Sequence, residues 1–332
     1  MSKRVLNLVT WLLTFGLCGL LIWLSVKDIT DADIEKIRYS LKYARYYLLI
    51  PIIAMGLLSH WSRAVRWKYL MEPMGLQPKT RNAFFAVLIG YLANLGLPRF
   101  GEVVKCTLLA RYEKIPADKL IGTIITERAF DVVCLLLIFA ITFLVQAGLA
   151  ADYLQDLFHR FQSNEHSGQS WIMLGSILGI FLLIFLFRKK IASTLLFKKL
   201  QAMVRNIVEG VMSFRQMKRK KEFLFHTLFI WSLYLGMIVL GFKSIPETSV
   251  LGFKAGFSVL SFGSIGMIVT PGGMGAYTLL VNEIVSLYGI GKAMSIAISW
   301  IIWLVPTLII IAGGIVALIL LPLLHNKKQY GQ

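Results

Sequence analysis

Acidic residues are scarce: 17 Asp and Glu face 35 Lys and Arg, and charged residues are only 16% of the 332. Soluble domains carry roughly 25% charged residues, so this chain has too little charge to cover a water-soluble globule. Cysteine is almost missing. Cys18, Cys106 and Cys134 stand alone in apolar surroundings, with no spacing that suggests a disulfide framework or a zinc site. The 5 histidines are scattered without paired ligand spacing. There is no Gly-x-Ser-x-Gly, no His-Glu-x-x-His and no nucleotide fingerprint. Enzyme chemistry is therefore poorly supported, and neither a metal nor a cofactor is expected.

What is abundant is apolar sequence, 57% of residues, with a mean hydropathy of +0.70. Several runs reach about 20 apolar residues, the length that crosses a ~30 Å hydrocarbon core as a helix. The expected class is an all-α, polytopic integral membrane protein forming a single membrane domain over 1–332. The net charge of +18 raises nucleic acid as a partner. Basic residues crowd the cytoplasmic loops of membrane proteins and meet anionic lipid headgroups there, so no nucleic-acid partner is expected.

In chain order, spanning helices are expected at about 5–26, 47–66, 117–147, 169–187, 222–242 and 292–322. The first is too long for a signal-peptide core and lacks a cleavage site, so it reads as retained. Thr30 or Asp31 is placed to cap a short surface helix in the loop after it. His60, Arg63, Arg66 and Trp67 read as an interfacial pattern at the end of the second helix, the arginines snorkelling to headgroups or selecting among them. Segment 188–221 holds 11 Lys or Arg and one acid, Glu209, and reads as a basic cytoplasmic surface helix.

Two stretches break the helical pattern. Asn94-Leu-Gly-Leu-Pro-Arg-Phe-Gly-Glu-Val-Val-Lys105 interrupts 82–111, and Thr270-Pro-Gly-Gly-Met-Gly275 interrupts 251–289. Proline and glycine free backbone groups that must be satisfied by protein or in a wet cavity. The limb after the first break is too short to span, since ten residues of helix cover ~15 Å. A hairpin entering and leaving on one side also puts 188–221 inside and the acidic loop 150–168 outside. The layout becomes about six spanning helices and two re-entrant hairpins. Halves 1–147 and 169–322 each read helix, helix, hairpin, long helix, starting from opposite sides. That is an inverted-topology repeat, an architecture of secondary transporters. Both termini are expected on the cytoplasmic side.

Charges at membrane depth mark the candidate site. Glu127 and Asp131 lie four apart on one face of the long helix, with Arg128 between them. Three such charges cost ~8–10 kcal/mol, which about twenty apolar residues of the same helix offset at ~0.3–0.6 each. Function and an interfacial structural cluster both fit. At the first break, Asn94, Pro98, Arg99, Glu102 and Lys105 suit an anion at a helix N-terminus, or a set of neutralising salt bridges. At the second, Pro271, Gly272, Gly273 and Gly275 suit either a backbone nest for a headgroup or close helix packing.

These motifs carry a resemblance. Arg63-x-x-Arg66-Trp67, Leu97-Pro-Arg-Phe-Gly-Glu102, Thr126-Glu-Arg-x-x-Asp131 and Thr270-Pro-Gly-Gly-x-Gly275 together resemble the flippase-like membrane family. That family includes the N-terminal transmembrane region of lysylphosphatidylglycerol synthase, the multiple peptide resistance factor. Two departures stand out. The proline-to-Gly-Glu spacing at the first break is one residue short. Thr278 stands where an acid often follows the second glycine motif, the nearest acid being Glu283. With the chain ending at Gln332, the soluble aminoacyl-transferase domain is expected to be absent.

The resemblance implies a flippase for a phosphate- or sugar-bearing lipid, of phospholipid or polyprenyl-phosphate type, in the cytoplasmic membrane. Arg99, Lys105 and Arg128 would hold phosphate. Glu127, Asp131 and Glu102 would bind a coupling proton or a cationic headgroup. The alternatives are a membrane enzyme or enzyme subunit in aminoacyl-phospholipid or polyprenyl-phosphate-sugar synthesis, and a structural scaffold for envelope synthesis. A lipid-modifying enzyme is a candidate partner.

Overall fold

The computed structural model describes residues 3–27, 29–96, 100–146 and 214–326. The expected helix 169–187, the loop 150–168 and the basic segment up to residue 213 lie outside the described residues, as do Pro98 and Arg99. The described residues form helices and short turns, with no strand among them. The helices are α1 (Lys3–Val26), α2 (Asp31–Lys42), α3 (Leu49–Met71), α4 (Thr80–Gly96) and α5 (Phe100–Glu113). After α6 (Ala117–Val145) come α7 (Lys220–Ser244), α8 (Phe253–Val269), α9 (Ala276–Leu287) and α10 (Lys292–Asn326). The protein is an all-helical, polytopic membrane protein: α3, α6, α7 and α10 are each long and apolar enough to cross a bilayer. Their outer faces carry exposed Leu57, Leu137, Phe143, Leu228 and Ile319, as lipid contact requires.

Contacts sort the helix termini into two ends. At the basal end, Lys68 Nζ donates to Thr80 Oγ1 at 2.8 Å, Asn82 Nδ2 donates to Glu113 Oε1 at 2.5 Å, and Tyr112 packs on His325. At the apical end, the Arg45 amide donates to Ser244 O, Ser40 Oγ donates to Glu247 Oε1, and Gln146 reaches Ser258. The cap of α2 is Thr30, not Asp31. Thr30 Oγ1 accepts from the Asp33 amide, and Asp33 returns a bond to the Thr30 amide.

Helices α4 and α5 pack against each other as one hairpin, and α8 and α9 as another. Helices α4 and α5 start and finish at the basal end, and α8 and α9 at the apical end. At 17 and 12 residues, α8 and α9 rise ~26 and ~18 Å. The first hairpin is closed by glycine. A Cβ on Gly101 would run into the Gly90 carbonyl, and Asn94 Oδ1 accepts the Gly101 N–H at 2.8 Å. At the tip of the second, Gly272, Gly273 and Gly275 hold φ of 58°, 75° and 76°, a region glycine enters without penalty. The tips meet: a Cβ on Gly272 would touch Leu95 Cδ2 at 2.5 Å. Trp303 of α10 fixes the junction, its indole Nε1 donating to Gly272 O at 2.8 Å.

Two apolar cores follow this plan. One gathers Trp67, Ala83, Leu109, Leu120 and Phe223 around the first hairpin. The other gathers Phe242, Val259, Val281 and Ile298 around the second. Helix α10 also packs Ala317 and Leu321 on Leu88 and Ile89 of α4.

Candidate functional site

The site assembles where α3, α5 and α6 cross beside the first core. Residues 60, 63, 66 and 67 share one face of α3 through their i,i+3 and i,i+4 spacing, and that face turns inward. His60, Arg63, Arg66 and Trp67 are all buried. They do not form the interfacial pattern expected from sequence, and the arginines do not snorkel. The physical reason is across the crossing: α6 presents Glu127 and Asp131 to them.

The geometry is a square of charges. Arg63 Nη1 lies 2.9 Å from Glu127 Oε1 and 2.9 Å from Asp131 Oδ2. Arg66 spans the same two carboxylates, Nη2 to Glu127 Oε1 at 3.2 Å and Nη1 to Asp131 Oδ1 at 2.9 Å. Lys105 comes in from α5, its Nζ 2.7 Å from Glu127 Oε2 and 4.2 Å from the Trp67 ring centroid. Glu127 thus carries three cations on two oxygens. Polar neighbours complete it: Arg63 Nη2 donates to Tyr234 Oη at 3.2 Å, and Trp67 Nε1 donates to Thr123 Oγ1 at 2.7 Å. Buried charges survive only with such pairing. By helix rise, Glu127 stands ten residues, ~15 Å, from the start of α6.

One edge of the network is open. Arg128 is turned away from the square, with 43% of its side chain exposed. Its Nε lies 2.8 Å from Glu102 Oε1, and Glu102 is itself 28% exposed. Arg128 Nη1 stays 3.8 Å from Asp131 Oδ2, so the open pair is electrically joined to the buried square. Both line a small cleft with Tyr91, Asn94, Gly101 and Lys105, between α4, α5 and α6. Among the described residues the network holds Arg63, Arg66, Lys105 and Arg128 against Glu102, Glu127 and Asp131, four cations to three carboxylates.

The expected site residues fall into three groups. Asn94, Glu102, Lys105, Glu127, Arg128 and Asp131 are brought together, with Arg63 and Arg66 as full members. Gly272, Gly273 and Gly275 pack on Leu95, Met267, Tyr277 and the Cys18–Ile22 stretch of α1, and Pro271 is buried beside them. Glu283 is exposed on α9 towards the apical end, and Thr278 Oγ1 donates to Gly275 O. Pro98 and Arg99 are outside the described residues. Sequence reasoning missed Tyr91 and Tyr234. Their signals were a tyrosine three residues before Asn94 and a lone phenol in an apolar helix.

The comparisons with known proteins agree on membrane character. The family described as lysylphosphatidylglycerol synthase TM region matches residues 9–326. A UPF0104 membrane protein of Methanocaldococcus jannaschii is 22% identical over 315 residues, covering 85% of this chain and 87% of that one. No solved structure matches.

Proposed function

We propose, for a chain that belongs to the lysylphosphatidylglycerol synthase TM-region family, a flippase that carries a phosphate- or sugar-bearing lipid headgroup across the cytoplasmic membrane. The basal end is cytoplasmic in this reading, because α3 ends in Lys68 and α7 opens on Lys220 and Lys221. The two hairpins are re-entrant from opposite faces, and their tips meet at mid-depth where Leu95 faces Gly272. Helices α3, hairpin α4–α5 and α6 then have inverted counterparts in α7, hairpin α8–α9 and α10, the plan of transporters that rock one repeat against the other.

The observation that carries the reading is the open edge of the charge network. Five of its seven charged groups would serve a purely structural cluster equally well, but Arg128 and Glu102 face a cleft. A guanidinium there binds a phosphate oxygen through charge-assisted hydrogen bonds. The buried square fixes the backbone of α6 and so aims Arg128, and Tyr91 and Asn94 offer polar contacts at the rim. The headgroup is thus shielded from the apolar core while the acyl or prenyl chains stay in lipid.

Leaflet composition in cells with and without the protein tests this. A protein-dependent shift of an anionic lipid between leaflets is expected, and Arg128→Gln is expected to abolish it at unchanged protein level. Identical leaflet distributions of every lipid in both strains would contradict the reading.

A further inference from the structure

Arg128 has two claims on it. It is the exposed cation of the network, yet Glu102 already sits on it at 2.8 Å. Glu102 stands in the first turn of α5, where a carboxylate is favoured by the helix dipole and where a bound phosphate would be favoured for the same reason. The two anions compete for one place. The rest of the network leaves room for either: without Glu102, four cations meet two carboxylates, and the exposed half of that excess is Arg128.

Glu102 is also the carboxylate with least to hold it. Glu127 is buried under three cations, and Asp131 bridges two arginines at 2.9 Å. Among the described residues Glu102 pairs with Arg128, and both side chains open to the cleft. This partly open pair has fewer partners than the buried square, so a ligand phosphate can displace it while the square stays intact.

We propose that Glu102 is a resident competitor in a site for a singly anionic phosphate, either a lipid phosphodiester or free phosphate. Its carboxylate holds Arg128 between cycles and yields it when the phosphate arrives. Displaced, Glu102 swings into the cleft, and its return helps expel the headgroup. This rests on the flippase reading and deepens it, since it makes binding weak by design and release part of the same contact.

The test uses the full chain purified in detergent, with three probes: short-chain phosphatidylglycerol, short-chain phosphatidylcholine and inorganic phosphate. Binding is followed by calorimetry, and folding by thermal unfolding. Relative to the wild type, Glu102→Gln is expected to bind phosphatidylglycerol at least about threefold tighter, ~0.7 kcal/mol at ~1.4 kcal/mol per tenfold. Glu102→Asp should fall between the two, and Arg128→Gln should bind nothing. Tighter binding of inorganic phosphate alone would keep the exchange at Arg128 but overturn a lipid as its ligand. A folded Glu102→Gln that binds phosphatidylglycerol equally or more weakly overturns the competitor role while leaving the flippase reading standing. No binding of any phosphate by wild type or Glu102→Gln, with leaflet transport also absent, overturns both.

Discussion

At the residue scale, the seven charges divide by burial into a part that holds the fold and a part free to act. Truncating Glu127 to alanine leaves Arg63, Arg66 and Lys105 partly unpaired in a buried place. It should cost about 3–5 kcal/mol, read as a large drop in the thermal unfolding midpoint. Arg128→Gln removes a half-exposed cation and should cost no more than ~1 kcal/mol by the same measurement, because solvent screens what it loses. Equal destabilisation by the two would mean that the open edge is structural too. The sequence marked Glu127, Asp131 and Lys105 by their cost at membrane depth. It misread Arg63 and Arg66, since a basic pair near a helix end looks the same whether it turns to headgroups or to carboxylates on another helix. Only the crossing of α3 and α6 decides that, and pairing between residues over 60 apart leaves no local trace.

At the scale of elements, the two interruptions were legible as proline- and glycine-rich stretches between short limbs, although proline alone does not stop a helix: Pro306 and Pro322 stand inside α10. The closeness of the limbs was not legible. Gly90 and Gly101 touch across the first hairpin, and nothing in either segment alone names the other. Gly101→Ala should force α4 and α5 apart, costing about 1–3 kcal/mol from overpacking, and should open Arg128 and Glu102 further to solvent in hydrogen–deuterium exchange of α5. At the second tip, Gly272→Ala meets both an unfavourable φ of 58° and the Leu95 side chain, so it should weaken the junction between hairpins. Helix α2 provides a pH-dependent element. The Thr30 hydroxyl, then its amide, hold the Asp33 carboxyl below its usual range. A lowered carboxylate pKa stabilises the helix above the ordinary Asp value of about 3.9, and that help is lost as pH falls through the lower folded value. Protection of the α2 amides, corrected for the pH dependence of intrinsic exchange, should therefore fall as pH drops below about 4, and Thr30→Ala should lower it at neutral pH as well.

At the scale of the whole molecule, hydropathy gave the membrane class and the order of long helices, with ends displaced by a few residues. Helix α3 runs to Met71 and α10 to Asn326, past the expected 66 and 322. The meeting of the tips at Leu95, Gly272 and Trp303 came only from three dimensions. In the proposed topology Lys114 and Ser249 stand on opposite faces of the bilayer. Cysteines introduced at each should react with an impermeant maleimide from opposite sides only; Cys18, Cys106 and Cys134 are buried and should stay silent. In the proposed mechanism the open edge of one charge network passes a lipid headgroup across the bilayer. The most direct measurement of this is translocation of fluorescent phosphatidylglycerol in liposomes holding the purified protein, read by an impermeant quencher. Wild-type protein should make inner-leaflet lipid accessible, and Arg128→Gln, folded and reconstituted equally, should not. Equal translocation by the two proteins would contradict the claim.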